Sequence, residues 1–181
     1  MNELWQELWK ESKDSSNILI QDYPPENNLL DNLILISLIS VPGLAISTKN
    51  WNPNPQPDYQ SFPIGSRITY QFDLRNSGYL IVTEKFASGE IYCLAPSKLS
   101  PAFRVSWGRL ILPKDDLFTV QRPTGYEEII AVLSQDKPQL NWLPQAQDNP
   151  LELQTEHLVG LLNHINQNKC EVMRYKYLIT S

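Results

Sequence analysis

His157 and His164 are the only histidines in this chain of 181 residues, and they stand seven positions apart. Imidazole is the usual base and metal ligand at neutral pH. Two rings on one helix share an ion at spacings of three or four, where both reach the same point. Seven apart they lie two turns from each other, so surface or core-edge histidines are expected and no metal site. Cys93 and Cys170 are 77 positions apart with no CxxC or Cys/His spacing around either, and are expected as reduced, mostly buried thiols. The adjacent acids Asp115-Asp116 and Glu127-Glu128 resemble dyads on paper. Neighbours on a strand point to opposite faces, so solvated turn and strand-face charges are expected instead. There is no GxSxG elbow and no glycine-rich loop opening a helix, hence no marked nucleophile and no phosphate cradle. These residues predict no catalytic set and no cofactor.

The residues with the strongest binding character lie at the start. Leu4, Trp5, Leu8 and Trp9 fall at i, i+1, i+4 and i+5 of a helix expected over residues 3–13, with charges opposite. Two tryptophans on one short helix need a surface to cover. That surface is either the chain's own β core or a partner's groove, and these four are the candidate partner-binding residues. Trp107-Gly108 and Tyr126 flank turns, where they suit a shallow pocket; buried aromatics at strand ends are the expected reading.

Composition narrows the class. Apolar residues make up 41% and aromatics 10%, which argues for a packed core over disorder. The net charge of −5 falls in one place. Residues 1–63 hold eight acids against three lysines, whereas residues 64–181 balance twelve acids with twelve bases. Neither part has the basic surplus that phosphate neutralisation requires, so no nucleic-acid partner is expected. MNELWQELWKESKD has no basic region leading into an apolar one, unlike a signal peptide. The run from Leu33 to Ile46 is 14 residues, broken by Pro42-Gly43, too short for a span of about 20. It reads as core strands around a turn. No membrane span and a cytoplasmic location are expected.

The elements follow from periodicity. Asp22-Tyr23-Pro24-Pro25 breaks the chain, and Asn50 to Tyr59, with prolines at alternate positions, is an extended connector. Ile68, Tyr70, Phe72 and Leu74 alternate with Arg67, Thr69, Gln71 and Asp73, which makes a strand with one wet face. Tyr79–Thr83 is an apolar run suited to a central strand, joined through Ala87-Ser88-Gly89 to Glu90–Ala95. Short strands over Arg109–Leu112, Phe118–Val120 and Glu127–Leu133 complete the set. Asp148-Asn149-Pro150 opens a helix carrying Leu158, Leu161, Leu162 and Ile165, with Asn168 as its cap. The final segment places Met173, Tyr175, Tyr177 and Ile179 on one side of a strand. The prediction is a mainly β fold: an antiparallel β-sandwich over residues 64–181 with a C-terminal helix-strand element. Residues 1–63, comprising the acidic helical arm, the strand pair and the connector, pack on that core.

The ordered set Gly65, Gly78-Tyr79-Leu80, Gly89-Glu90-Ile91, Leu94-Ala95-Pro96-Ser97, Trp107-Gly108, Leu112-Pro113 and Pro123-Thr124-Gly125-Tyr126-Glu127 resembles the family catalogued as domain of unknown function 4384, over about 70 residues. The chain departs from its pattern at Ala95, where an aromatic often precedes the proline, and in the Trp-bearing arm, which the pattern does not cover. The family is bacterial and often fused to caspase-like peptidases, protein kinases or repeat modules. The resemblance implies an accessory or regulatory domain and supplies no catalytic residues. The expected function is a non-catalytic protein- or peptide-binding module, of unknown oligomeric state, in a bacterial signalling or stress system. The competing readings are a hydrolase with a non-sequential site near Trp107, Asp115, Asp116 and His157, and a small-ligand carrier with a pocket between the sheets.

Overall fold

Alternation along three strands decides how the layers stack. In the computed structural model, which describes residues 1–14, 18–23 and 59–181, Ile68, Tyr70, Phe72 and Leu74 of one strand face the same core as Leu80 and Val82 of a second and Ile129, Ala131 and Leu133 of a third. The elements run in order as α1 (Asn2–Glu11), β1 (Lys13–Asp14), β2 (Ile18–Tyr23), β3 (Ser61–Pro63), β4 (Arg67–Leu74), β5 (Gly78–Lys85) and β6 (Ile91–Ala95). They continue as β7 (Arg104–Val105), β8 (Gly108–Leu112), β9 (Phe118–Thr119), β10 (Gly125–Ser134), β11 (Leu151–Glu152), α2 (Thr155–Gln167) and β12 (Cys170–Thr180). The expected apolar strand pair at Leu33–Ile46 and the connector up to residue 58 lie outside the described residues.

Two sheets form among the described residues. The larger runs β1-β12-β10-β5-β6-β11, with β3 also on β12 and β7 on β5. The smaller runs β2-β4-β8, with β9 also on β4. Pairing is antiparallel except where β1 and β3 lie parallel to β12. The core between the sheets takes one face of each, including Phe62, Leu112, Met173, Tyr177 and Ile179. The fold is mainly β, as the strand spacing predicts.

The large sheet is buried on both faces. Its outer side packs Ile81, Ile91, Cys93, Ile130 and Val132 against Trp5 and Leu8 of α1 and Leu158, Leu161 and Leu162 of α2. Burial on both sides explains why Tyr79–Thr83 and Ile129–Leu133 read as continuous apolar runs. Both cysteines are free thiols, Cys93 buried and Cys170 partly so.

Three local readings need correction. Asp22 and Tyr23, read as part of a chain break, are the end of β2, which runs along β4 with Ile18 opposite Phe72 and Ile20 opposite Tyr70. The helix expected from Pro150 begins at Thr155 instead. Leu151 and Glu152 first pair with Cys93 and Tyr92, and a capping box between Gln154 and His157 then starts α2. Gly78, expected as the end of an Asn76-Ser77-Gly78 turn, is the first residue of β5: a Cβ there would stand 2.5 Å from the Ser134 carbonyl oxygen, where β5 closes on β10.

Candidate binding pocket between the sheets

Four side chains that alternation sends into the inter-sheet core are polar at their tips. Tyr70 comes from β4, Glu84 from β5, Glu127 from β10 and Tyr177 from β12. They line a pocket of about 300 Å³ with Ile68, Phe86, Phe118 and Val120, while Thr119 and Arg122 stand on its exposed rim. The Tyr70 hydroxyl lies 2.7 Å from Glu84 Oε1 and 2.9 Å from the Tyr177 hydroxyl. The Tyr177 hydroxyl lies 2.8 Å from the same Glu84 oxygen and also bonds Glu127 Oε2. The Ala87 amide donates a long bond of 3.5 Å to Glu127 Oε1.

Counting protons assigns the charges. A phenol carries one proton and an ionised carboxylate none. The four contacts among these hydroxyls and carboxyls outnumber the two protons that the tyrosines supply, so at least one carboxyl is protonated. Burial pushes Glu84 up to about 8, and the charge of Glu127 adds to the rise. Burial also holds Glu127 above the usual carboxylate value, by more than the hydrogen bonds from Tyr177 and the Ala87 amide pull it down. Glu84, the more deeply enclosed and beside a second carboxyl, is the more readily protonated of the two.

Glu127 and Glu128 are each only 8% exposed, which corrects their reading as solvated charges. They do point to opposite faces. Glu128 turns to the helix side, where the Trp5 indole N–H donates to its Oε2 at 2.7 Å. Lys176 bonds its Oε1 at 3.0 Å, and Lys85 stands 3.9 Å from Oε2. The Lys176 ammonium also lies 4.4 Å over the Tyr126 ring.

The four arm residues are accordingly turned inward. Trp5 and Leu8 are fully buried at 0%, and Leu4 and Trp9 pack at the edge of the same cluster. Arg174 stacks 4.9 Å over the Trp9 ring and donates to its carbonyl at 2.6 Å. The surface these tryptophans cover is the chain's own large sheet, because it offers both an apolar face and, in Glu128, an acceptor for the indole.

The residues of the hydrolase reading are not brought together. Trp107 is 75% exposed before β8, and Asp115 and Asp116 are exposed in the β8–β9 turn. His157 lies on α2, across the large sheet, accepting the Gln154 amide at Nδ1. Trp107 and Tyr126 are solvent-facing, which corrects their expected burial. His164 does reach a hydroxyl, with Nε2 3.1 Å from Ser134 Oγ. That hydroxyl donates to the Asp136 carbonyl at 2.8 Å, and Ser134 is fully buried. His164 therefore donates to Ser134 through Nε2 and accepts from Asn168 at Nδ1, a closed structural chain.

Reasoning from the sequence missed Tyr70, Glu84 and Tyr177 as a group. Their signal was parity: Glu84 continues the inward series of Leu80 and Val82, and Glu127 precedes Ile129, Ala131 and Leu133 on the same face.

These observations define a mainly β, two-sheet domain with a helical layer and a polar-floored pocket between its sheets. Residues 61–137 match the model of the family described as Domain of unknown function (DUF4384), which bears out the resemblance carried by the ordered glycine and proline motifs. The matched segment runs from β3 through β10, so it contains Tyr70, Glu84 and Glu127, whereas Tyr177 lies beyond it. No curated protein and no solved structure matches the chain. Among the described residues no helix is long and apolar enough to cross a membrane.

Proposed function

We propose that this chain is a non-catalytic accessory module that binds a protein or peptide partner, with the inter-sheet pocket receiving one partner side chain. The observation that carries this reading is the pocket itself. Its apolar walls, its few convergent polar groups and its two acids, both raised by burial, are the marks of a ligand site. The hydrolase alternative has less support, since its named residues are scattered and the Ser134 hydroxyl is committed to a carbonyl. The cavity of about 300 Å³ also suits a free small ligand, and the carrier reading stands second on that volume. A regulatory role in a bacterial signalling or stress system, in the cytoplasm, accords with the family's usual company.

The test is a peptide library selected on the native domain and re-examined on Thr119→Trp, which places an indole at the exposed rim. The selected peptides are expected to bind the native domain and to lose binding to the variant, with its thermal midpoint unchanged. Equal retention by both proteins, or a selection that returns no peptides, overturns the proposal.

A further inference from the structure

The neighbouring acids Glu127 and Glu128 differ in what neutralises them. Glu128 has an ammonium at 3.0 Å and another at 3.9 Å. No described lysine or arginine forms an ion pair with Glu127 or Glu84, and the rim residue Arg122 bonds neither of them. Glu127 is the less enclosed of the two floor acids, and among the described residues its Oε2 takes the Tyr177 hydroxyl while its Oε1 takes only the Ala87 amide at 3.5 Å. A buried carboxylate without a counter-ion is costly. This one opens onto a cavity walled by Phe86, Phe118 and the Tyr70 ring, surfaces that suit an alkyl stem and attract a cation.

We infer that the pocket is a site for a primary ammonium on an apolar stem, as at the end of a lysine side chain, with Glu127 as its counter-ion. This inference rests on the reading of the pocket as a binding site and names the group it takes. An ammonium has three N–H donors. At the floor it bonds Glu127, while Glu84 stays neutral and holds the two tyrosines in place. Glu84 is thus a positioning residue, and the two acids have separable roles.

The experiment is an NMR titration following the amides of Ala87, Glu127 and Tyr177. The probes are a capped tripeptide with a central lysine, the same tripeptide acetylated at Nζ, and butylammonium. The lysine peptide is expected to shift these amides saturably. The acetylated peptide should bind at least about tenfold more weakly, the equivalent of one lost charge interaction. Glu127→Gln, which keeps an acceptor for the Tyr177 hydroxyl, should abolish the response, and Glu84→Gln should retain it. Equal shifts from the acetylated peptide, no shift from any probe, or unchanged binding by folded Glu127→Gln each overturn the inference. Binding of butylammonium without the lysine peptide supports the ammonium site and overturns the peptide source. If all probes fail while selected peptides still depend on Thr119, the ammonium assignment falls and the binding reading stands.

Discussion

Glu84 shows what a single buried acid does to the molecule around it. Its carboxyl titrates near the ordinary 4.5 when the chain is unfolded and at about 8 when folded. The groups facing it are Tyr70 from β4, Tyr177 from β12 and Glu127 from β10, with Tyr92 of β6 opposite it in register. Between these two values the folded state binds more protons than the unfolded one. The stability held at low pH is therefore lost as pH rises through the window, at up to about 1.4 kcal/mol per pH unit. Glu84→Gln removes that slope. Its urea midpoint is expected to gain progressively on the native protein between about pH 5 and pH 8; parallel profiles for the two proteins would refute the assignment. Little of this was legible in the sequence, where Glu84 and Glu127 look like the charged ends of apolar runs. Type and parity place a residue on a face, but only the meeting of four strands reveals that the polar tips converge.

At the scale of the element, α1 was legible as an amphipathic helix and its destination was not. The indole face is compatible with a partner's groove as well as with the chain's own sheet until Glu128 appears opposite the Trp5 nitrogen. Trp5→Ala opens a cavity under α1 and is expected to cost about 3–5 kcal/mol in chemical denaturation. Trp5→Phe keeps most of the apolar volume and removes the donor, so a smaller loss of about 1–3 kcal/mol is expected. A Trp5→Phe variant as stable as the native protein would show that the hydrogen bond to Glu128 contributes nothing. The strands were read well where they alternate and least well where they are short. β11 is two residues long and had no periodicity to show, and the start of α2 followed the capping box rather than the proline.

For the molecule as a whole, the glycine and proline order identified the segment that the family model matches, but that segment is not a closed structure. β10 pairs along its full length with β12, which lies outside it, and β4 pairs with β2, also outside. Residues 61–137 expressed alone are expected to lack protected amides in hydrogen exchange, whereas the full chain protects β5 and β10 most strongly. Slow exchange in the isolated segment would show that it folds without its flanks. The position of β10 between the two cores has one more consequence. Its residues come as near-identical neighbours: Glu127-Glu128, Ile129-Ile130, Ala131-Val132. A slide of one place would still offer each layer an acid followed by apolar side chains, so hydrophobicity barely distinguishes the two settings. The ambiguity is resolved at the ends, where Tyr177 and Trp5 each select one glutamate and His164 selects Ser134. In this strand oiliness supplies adhesion, and a few polar atoms carry the address.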